Sequence, residues 1–527
     1  MRIARQGIAA LVIGLAASVV PLPALAQSAA APVRIVVQSD RTGATIERDI
    51  FGQFAEHLGT GIYGGVWVGK DSPIPNVRGI RSDVVQALRA IRVPNVRWPG
   101  GCFADGYHWR DGIGPTAKRQ HRLNASWGNV IEPNSFGTHE FFDFAEQVGA
   151  DVFLSVNVGS GTVQEAADWL EYLTADKPTS LAHERAANGR AAPYKIKYLG
   201  LGNENWACGG GMSNDHYVEM MKQFAIYSRN LDPAQAKTMK RVAVGWDSNK
   251  DDYTESVMKA WKARNWAWTI EGVSLHGYTI PNSWEKKGPS VSFGEDEYAK
   301  ALRATLKMKD WVAQQSAIMD RYDPEKTVGL FVDEWGIWAD PNPGSNPGFL
   351  QQQNTMRDAV IASLNLNIFV RNAARVKGTN IAQMVNVLQA MILTDGSKMV
   401  VTPTYHVYHL YTPFQGAKVV PVDFDAGTYT MGDIRLPRVD AVAARDSSGK
   451  LWLALTNVDP NRPAKLSAAV AGARGATGRV LTGATVDAHN DFDRPNAVAP
   501  QPINGRLSNG QLLFDLPPKS IAVVQVQ

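Results

Sequence analysis

The chain has 527 residues, 44% hydrophobic and 20% charged, a globular composition with material for more than one core. Its formal charge is only +4 and its basic residues are scattered, so neither a nucleic acid nor an anionic membrane surface is expected as a partner. Two cysteines, Cys102 and Cys208, are too few for a disulfide framework.

In chain order, Arg2 and Arg5 precede an apolar run over 7–20. The small-x-small triplet Ala24, Leu25, Ala26 then stands before Gln27. This pattern predicts a removable leader over 1–26 and export to the periplasm or the medium. A disordered lead-in over 27–32 and an alternating strand over 33–38 follow, the strand free to pair with something distant.

From residue 50 to about 400, strand-like runs alternate with helix-like ones. Strands are predicted over 51–57, 95–101, 151–157, 198–206, 241–246, 272–278, 328–335 and 380–388. Helices are predicted over 82–92, 138–148, 163–173, 214–230, 253–264, 294–322 and 352–373. Eight such alternations favour a closed (β/α)8 TIM barrel over an open sheet, and right-handed crossovers would put every strand C-terminus at one rim. Beyond residue 400 the texture becomes short alternating strands with no helix in evidence. That predicts an all-β sandwich over 401–527 that also takes in the N-terminal strand of 27–49.

The segment Tyr198-Leu-Gly-Leu-Gly-Asn-Glu-Asn-Trp206 runs apolar and then stops at a carboxylate between two amides. The pattern recurs as Val328-Gly-Leu-Phe-Val-Asp-Glu-Trp335. Taken singly, each Glu would read as a surface or capping carboxylate. Two at equivalent strand ends, four and seven, point to a facing pair. Glycosidic cleavage needs such a pair, one to protonate the leaving oxygen and one to attack or to position water. Other polar and aromatic groups at the rim suit a neutral polyol: Glu56, His57, Arg97, Asn157, Asn203, Asp247, His276, Tyr278, Gln383 and Asn386, with Trp206, Trp335 and Trp338 as flat faces. The sequence has no metal-ligand spacing on a helix, no nucleophile elbow and no complete dinucleotide fingerprint, so neither metal nor cofactor is expected. Asn124-Ala-Ser126 has the form of a glycosylation acceptor. The two cysteines read either as a bridge between the loops after strands two and four or as two buried thiols.

Taken together, Gly202-Asn-Glu-Asn-Trp206, Arg97-Trp-Pro-Gly-Gly101, Ser274-Leu-His-Gly-Tyr278, Asp333-Glu-Trp335 and Ile381-Ala-Gln-Met-Val-Asn386 resemble the α-L-arabinofuranosidases of glycoside hydrolase family 51. The resemblance is close from about residue 50 to 393 and looser beyond. It implies a retaining mechanism with Glu204 as acid/base and Glu334 as nucleophile. It also implies that Glu56, Arg97, Asn203, Tyr278 and Gln383 hold the arabinofuranosyl ring or orient the nucleophile, with His276 beside both glutamates. Cys102 stands where some members carry a sugar-contacting Asn, and Trp206 and Trp338 would bound the substrate pocket. The expected partner is an arabinose-containing oligo- or polysaccharide, and related enzymes suggest a homo-oligomer. A β-xylosidase or endo-β-1,4-glucanase on the same scaffold is the alternative chemistry. A non-catalytic carbohydrate-binding protein is the alternative class.

Overall fold

The computed structural model describes residues 32–246 and 251–527. The leader-like segment, most of the lead-in and Asp247 lie outside them.

Eight parallel strands close a barrel in chain order: Gly52–Phe54, Asn95–Trp98, Asp151–Val156, Tyr198–Leu201, Lys240–Trp246, Gly272–Thr279, Gly329–Ile337 and Val376–Ile381. The last pairs with the first, Asn380 beside Gly52 and Ile381 beside Gln53, so the barrel has no open edge. Tyr198–Leu201 and Gly329–Ile337 are buried at every position. Strands with side chains packed both inside the barrel and against the outer helices read as near-continuous apolar runs. Phe153, Tyr198, Val242 and Phe331 plug the interior beneath the rim. The Phe331 ring fits because Gly272 has no side chain; a methyl there would stand 2.5 Å from the ring.

Helices wrap the outside. Several start on side-chain caps: the Thr162 hydroxyl accepts from the Glu165 amide at 3.0 Å, for example, and the Ser213 hydroxyl from the His216 amide at 3.4 Å. The helix Met356–Arg371 is buried from Met356 through Val370 because the barrel covers one side and the β domain the other. Its polar groups bond across that junction, Asn367 Nδ2 to Asp440 Oδ2 at 2.9 Å and the Ser363 hydroxyl to that of Thr456 at 2.6 Å. Among the described residues no helix is long and apolar enough to cross a membrane.

The C-terminal domain is built on a ten-stranded sheet around a separate apolar core that includes Leu453, Leu466, Phe514 and Val524. The N-terminal strand Val33–Val37 lies within it, parallel to Ala464–Val470 and antiparallel to Val422–Phe424. The fold class expected from the sequence is the one observed.

Particular elements differ. The helix expected over 294–322 is two, Glu295–Thr305 and Lys307–Tyr322, with ψ of −14° at Leu306 interrupting the ladder. The apolar period runs through both, so the break leaves no trace in the pattern. The helix Ser180–Ala187 lies in what reads as a polar Ala-rich segment, and Pro403–Leu410 is a helix where none was evident. The eighth strand ends at Ile381. Residues 382–391 form irregular chain with positive φ at Asn386 and Leu388, so their alternation is that of a folded loop.

Candidate active site

The strand C-termini converge on a pocket of about 740 Å³. Glu204 arrives one turn past Tyr198–Leu201, and Glu334 lies within Gly329–Ile337. One carboxylate oxygen of each and one ring nitrogen of His276 lie within 4.8 Å of one another. Gly101 leaves room for Glu334: a methyl there would sit 2.8 Å from Glu334 Oε1.

The two glutamates sit in different environments. Glu334 Oε1 accepts from Arg97 Nη1 at 2.9 Å, and Oε2 accepts from the Tyr278 hydroxyl at 2.9 Å. Arg97 is fully buried, packs over the Phe54 ring at 4.6 Å, and also pairs through Nε with Asp333 Oδ2 at 3.3 Å. Burial alone would lower the Arg97 pKa, but the charges of Asp333 and Glu334 raise it above its ordinary value. Glu204 lacks a guanidinium of its own. Burial raises its pKa, His276 works against that rise, and the charge of Glu334 adds to it.

His276 links the carboxylates. Its Nδ1 stands 2.8 Å from Glu204 Oε1 and 3.7 Å from Glu334 Oε2, and its Nε2 stands 3.3 Å from Asp333 Oδ1. Burial pushes its pKa down. The surrounding charges of Glu334 and Asp333 outweigh that and carry it to about 10. Arg97 and His276 thus pair with the buried side chains of Asp333 and Glu334. The pKa of Glu56, like that of Glu204, is raised: burial, then Glu334, lifts it to about 7. Its oxygens accept from Trp127 Nε1 at 2.7 Å, the Phe103 amide at 3.1 Å and Gln383 Nε2 at 3.0 Å.

Of the residues singled out from sequence, Glu56, Cys102, Glu204, Trp206, His276, Tyr278, Glu334, Trp338 and Gln383 all line the pocket. Arg97 and Asn203 do not; they lie directly behind it, with Arg97 Nη2 donating to Asn203 Oδ1 at 2.5 Å. His57 also stands back. Its Nε2 accepts from Trp98 Nε1 at 3.1 Å, which leaves Nδ1 to donate to Glu132 Oε2 at 2.9 Å. Asn157 and Asn386 bond within the scaffold, Asn157 to Ser160 and the Tyr107 carbonyl, Asn386 to Thr394 and the Thr60 carbonyl. Asn124, in the glycosylation-like triplet, is buried and donates to the His57 carbonyl. Cys102 and Cys208 form a disulfide, with Cα atoms 5.5 Å apart, that ties two loops at the pocket wall.

Sequence reasoning missed Trp127, Trp284, Lys307 and Trp311, which also line the pocket. They come from loops and a helix terminus, where no strand-end pattern marks them. It also missed the buried carboxylate of Asp105, whose oxygens accept from the Val158, Gly159 and Asn203 amides and so fix the turn that carries Glu204.

A closed parallel barrel that brings two unequal glutamates together under an aromatic-walled pocket defines a glycoside hydrolase. Comparison with known proteins narrows this. The family model described as alpha-L-arabinofuranosidase 1 domain matches residues 87–290, and that described as alpha-L-arabinofuranosidase C-terminal domain matches residues 333–520. A protein of Bacteroides ovatus named intracellular exo-alpha-L-arabinofuranosidase is 42% identical over 504 residues, covering 95% of this chain and 96% of that one. The crystal structure of the GH51 arabinofuranosidase from Xanthomonas axonopodis pv. citri superposes with a TM-score of 0.91 at 47% identity, covering 94% of this chain and all of that one. The Thermotoga maritima alpha-L-arabinofuranosidase, solved as an arabinose complex, gives 0.81 at 30% identity over 94% of this chain and 99% of that one. The chain belongs to the α-L-arabinofuranosidases of glycoside hydrolase family 51.

The Bacteroides relative corrects one expectation. It is named intracellular although it matches this chain almost end to end, and this overturns export by a leader. A basic start followed by a short apolar run is a compositional signal only, and residues 1–26 lie outside the described structure.

Proposed function

We propose that the enzyme releases single terminal arabinofuranosyl units from hemicellulose-derived oligosaccharides with retention, by double displacement. A Glu334 oxygen attacks the anomeric carbon as Glu204 gives its proton to the departing glycosidic oxygen. This leaves a covalent glycosyl-enzyme and a Glu204 carboxylate. That carboxylate then takes a proton from water, the hydroxide oxygen bonds to the anomeric carbon, and Glu334 is released as a carboxylate. The observation that carries this reading is the closeness of the two carboxyls, with oxygens within 4.8 Å. Retaining enzymes keep their carboxyls about 5–5.5 Å apart, and inverting ones leave about 6.5–9.5 Å for a water. The unequal surroundings agree. Glu334 is held by two donors that favour the anion, and Glu204 is buried with a raised pKa.

We assign Glu56 and Gln383, bonded to each other on the pocket floor, to the sugar hydroxyls. Arg97 and Asn203 act from behind: Arg97 keeps Glu334 ionised, and Asn203 keeps Arg97 aimed. The Cys102–Cys208 wall with Trp206 and Trp338 bounds the pocket and favours removal of an end unit over attack within a chain.

Proton NMR of the product during the first minutes of hydrolysis of an aryl α-L-arabinofuranoside tests this. The α anomer should appear first, and initial release of the β anomer would refute double displacement. Faster turnover of an aryl β-D-xyloside or a soluble β-glucan would refute the arabinofuranosyl assignment.

A further inference from the structure

At the opposite end of the barrel from the catalytic pocket lies a groove of about 810 Å³. It is formed where the helix Asn214–Tyr227 ends, where Lys240–Trp246 begins, and by residues 264–269 ahead of Gly272–Thr279. The length of a seven-residue strand puts it roughly 20 Å from the catalytic rim.

Three features mark this groove. The first is Trp266, which is 96% exposed and presents a bare indole at its edge. A single exposed apolar residue is ordinary on a protein surface, so the case rests on the other two. The second is charge. Among the described residues, Arg229, Arg241 and Arg264 line the groove and no acidic residue does. Arg229 Nε donates to the Ile226 carbonyl at 2.7 Å, Arg241 Nη2 to the Ser228 carbonyl at 3.2 Å and Arg264 Nη1 to the Trp261 carbonyl at 2.7 Å, with the Arg264 guanidinium 4.1 Å over the Trp261 ring. Glu271 accepts the Arg241 amide at 2.7 Å but stands outside the groove. The third is Asn230, only 6% exposed yet lining the groove. Its Oδ1 accepts from the Asp232 amide at 3.0 Å, while its Nδ2 has no hydrogen-bond partner among the described residues. A buried amide donor left unmade is costly unless something else takes it up.

We propose that this groove is a second glycan site, selective for a uronate unit of an acidic oligosaccharide. Trp266 stacks on the pyranose face, Arg229 and Arg264 hold the carboxylate, and Asn230 Nδ2 donates to a hydroxyl. A guanidinium fork matches a carboxylate. A simple inorganic anion would use the arginines and leave the indole idle, and a neutral sugar would do the reverse. A uronate engages both. The site is separate from the catalytic pocket, so its occupancy can be read without turnover.

The test is calorimetric titration of the full chain with a glucuronate-substituted xylotriose, with unsubstituted xylotriose and inorganic phosphate as controls. Wild type should bind the acidic sugar. Trp266→Ala and the double variant Arg229→Gln/Arg264→Gln should each weaken it at least tenfold, and 0.5 M NaCl should also weaken it. Hydrolysis of an aryl α-L-arabinofuranoside should not change in either variant, and Trp266→Phe should recover binding. The proposal is overturned if wild type and variants bind the acidic sugar equally. It is overturned equally if xylotriose or phosphate binds as tightly as the uronate. Loss of oligomeric mass on Trp266→Ala in sedimentation would instead make this face a contact between copies of the chain and would also overturn it.

Discussion

His276 Nδ1 lies 2.8 Å from Glu204 Oε1, so the proposed proton donor is steered by a buried imidazolium. The positive charge lowers the pKa of Glu204 from where burial alone would put it. His276→Asn removes that charge, so Glu204 should hold its proton to higher pH. The alkaline limb of the kcat/KM profile should shift upward, with a fall in its maximum on the order of tenfold to a hundredfold. An unmoved profile would mean that His276 is only a packing residue.

Glu334→Ala should remove turnover by about 10⁴-fold or more on every substrate, because it deletes the carboxylate proposed to form the covalent bond. Glu204→Ala should discriminate. With a poor leaving group the loss should be about 10²–10⁴-fold, and with an activated aryl group the first step should be nearly spared. Steady-state assays on two aryl arabinofuranosides of different leaving-group acidity decide between these roles.

Glu56 carries a stability signature. Its pKa rises from 4.5 unfolded to about 7 folded, so between those values the native state binds more protons than the unfolded chain. Stability should therefore fall as pH rises from about 4.5 to 7, by on the order of 3 kcal/mol from this group. Glu56→Gln should flatten that part of a plot of Tm against pH.

The Cys102–Cys208 bond closes a loop of 106 residues. Its reduction by a dithiol should lower stability by about 2–4 kcal/mol. Cys208 Sγ lies 3.6 Å from Glu204 Oε2, so kcat should fall with it. Thermal unfolding with and without reductant measures the first, and a Cys102→Ser/Cys208→Ser variant should no longer respond.

Tyr278, Trp338 and Trp284 form a chain of edge-to-face contacts from the Glu334 carboxylate to the pocket mouth, with centroids 5.1 and 5.0 Å apart. Lys287 Nζ lies 4.7 Å over the outer ring. Trp284 is 58% exposed and positioned to meet the leaving group. Trp284→Ala should raise KM on arabinose-bearing xylo-oligosaccharides several-fold and leave KM on a small aryl glycoside unchanged.

The sequence made the barrel and the two glutamates legible for a physical reason. The buried strand Tyr198–Leu201 holds only apolar residues and glycine, so a carboxylate just past its end stands out. The same contrast exposed Glu334. The outer walls carry no such contrast. Trp127 and Trp284 sit in loops whose course is set by distant contacts, and Lys307 follows a helix break that the apolar period does not register. Asp333 was legible as a neighbour of Glu334, but its grip on both Arg97 and His276 needed coordinates.

The strand Val33–Val37 has its partners at 422–424 and 464–470, so its hydrogen bonds cannot be satisfied until nearly the whole polypeptide exists. On the ribosome, that strand must wait unpaired through synthesis of the entire barrel. At about 5–20 residues per second, this is a delay of tens of seconds. Closure of the sheet is then a long-range event that should be among the slowest steps of assembly. The native fold therefore couples the two domains in time as well as in space.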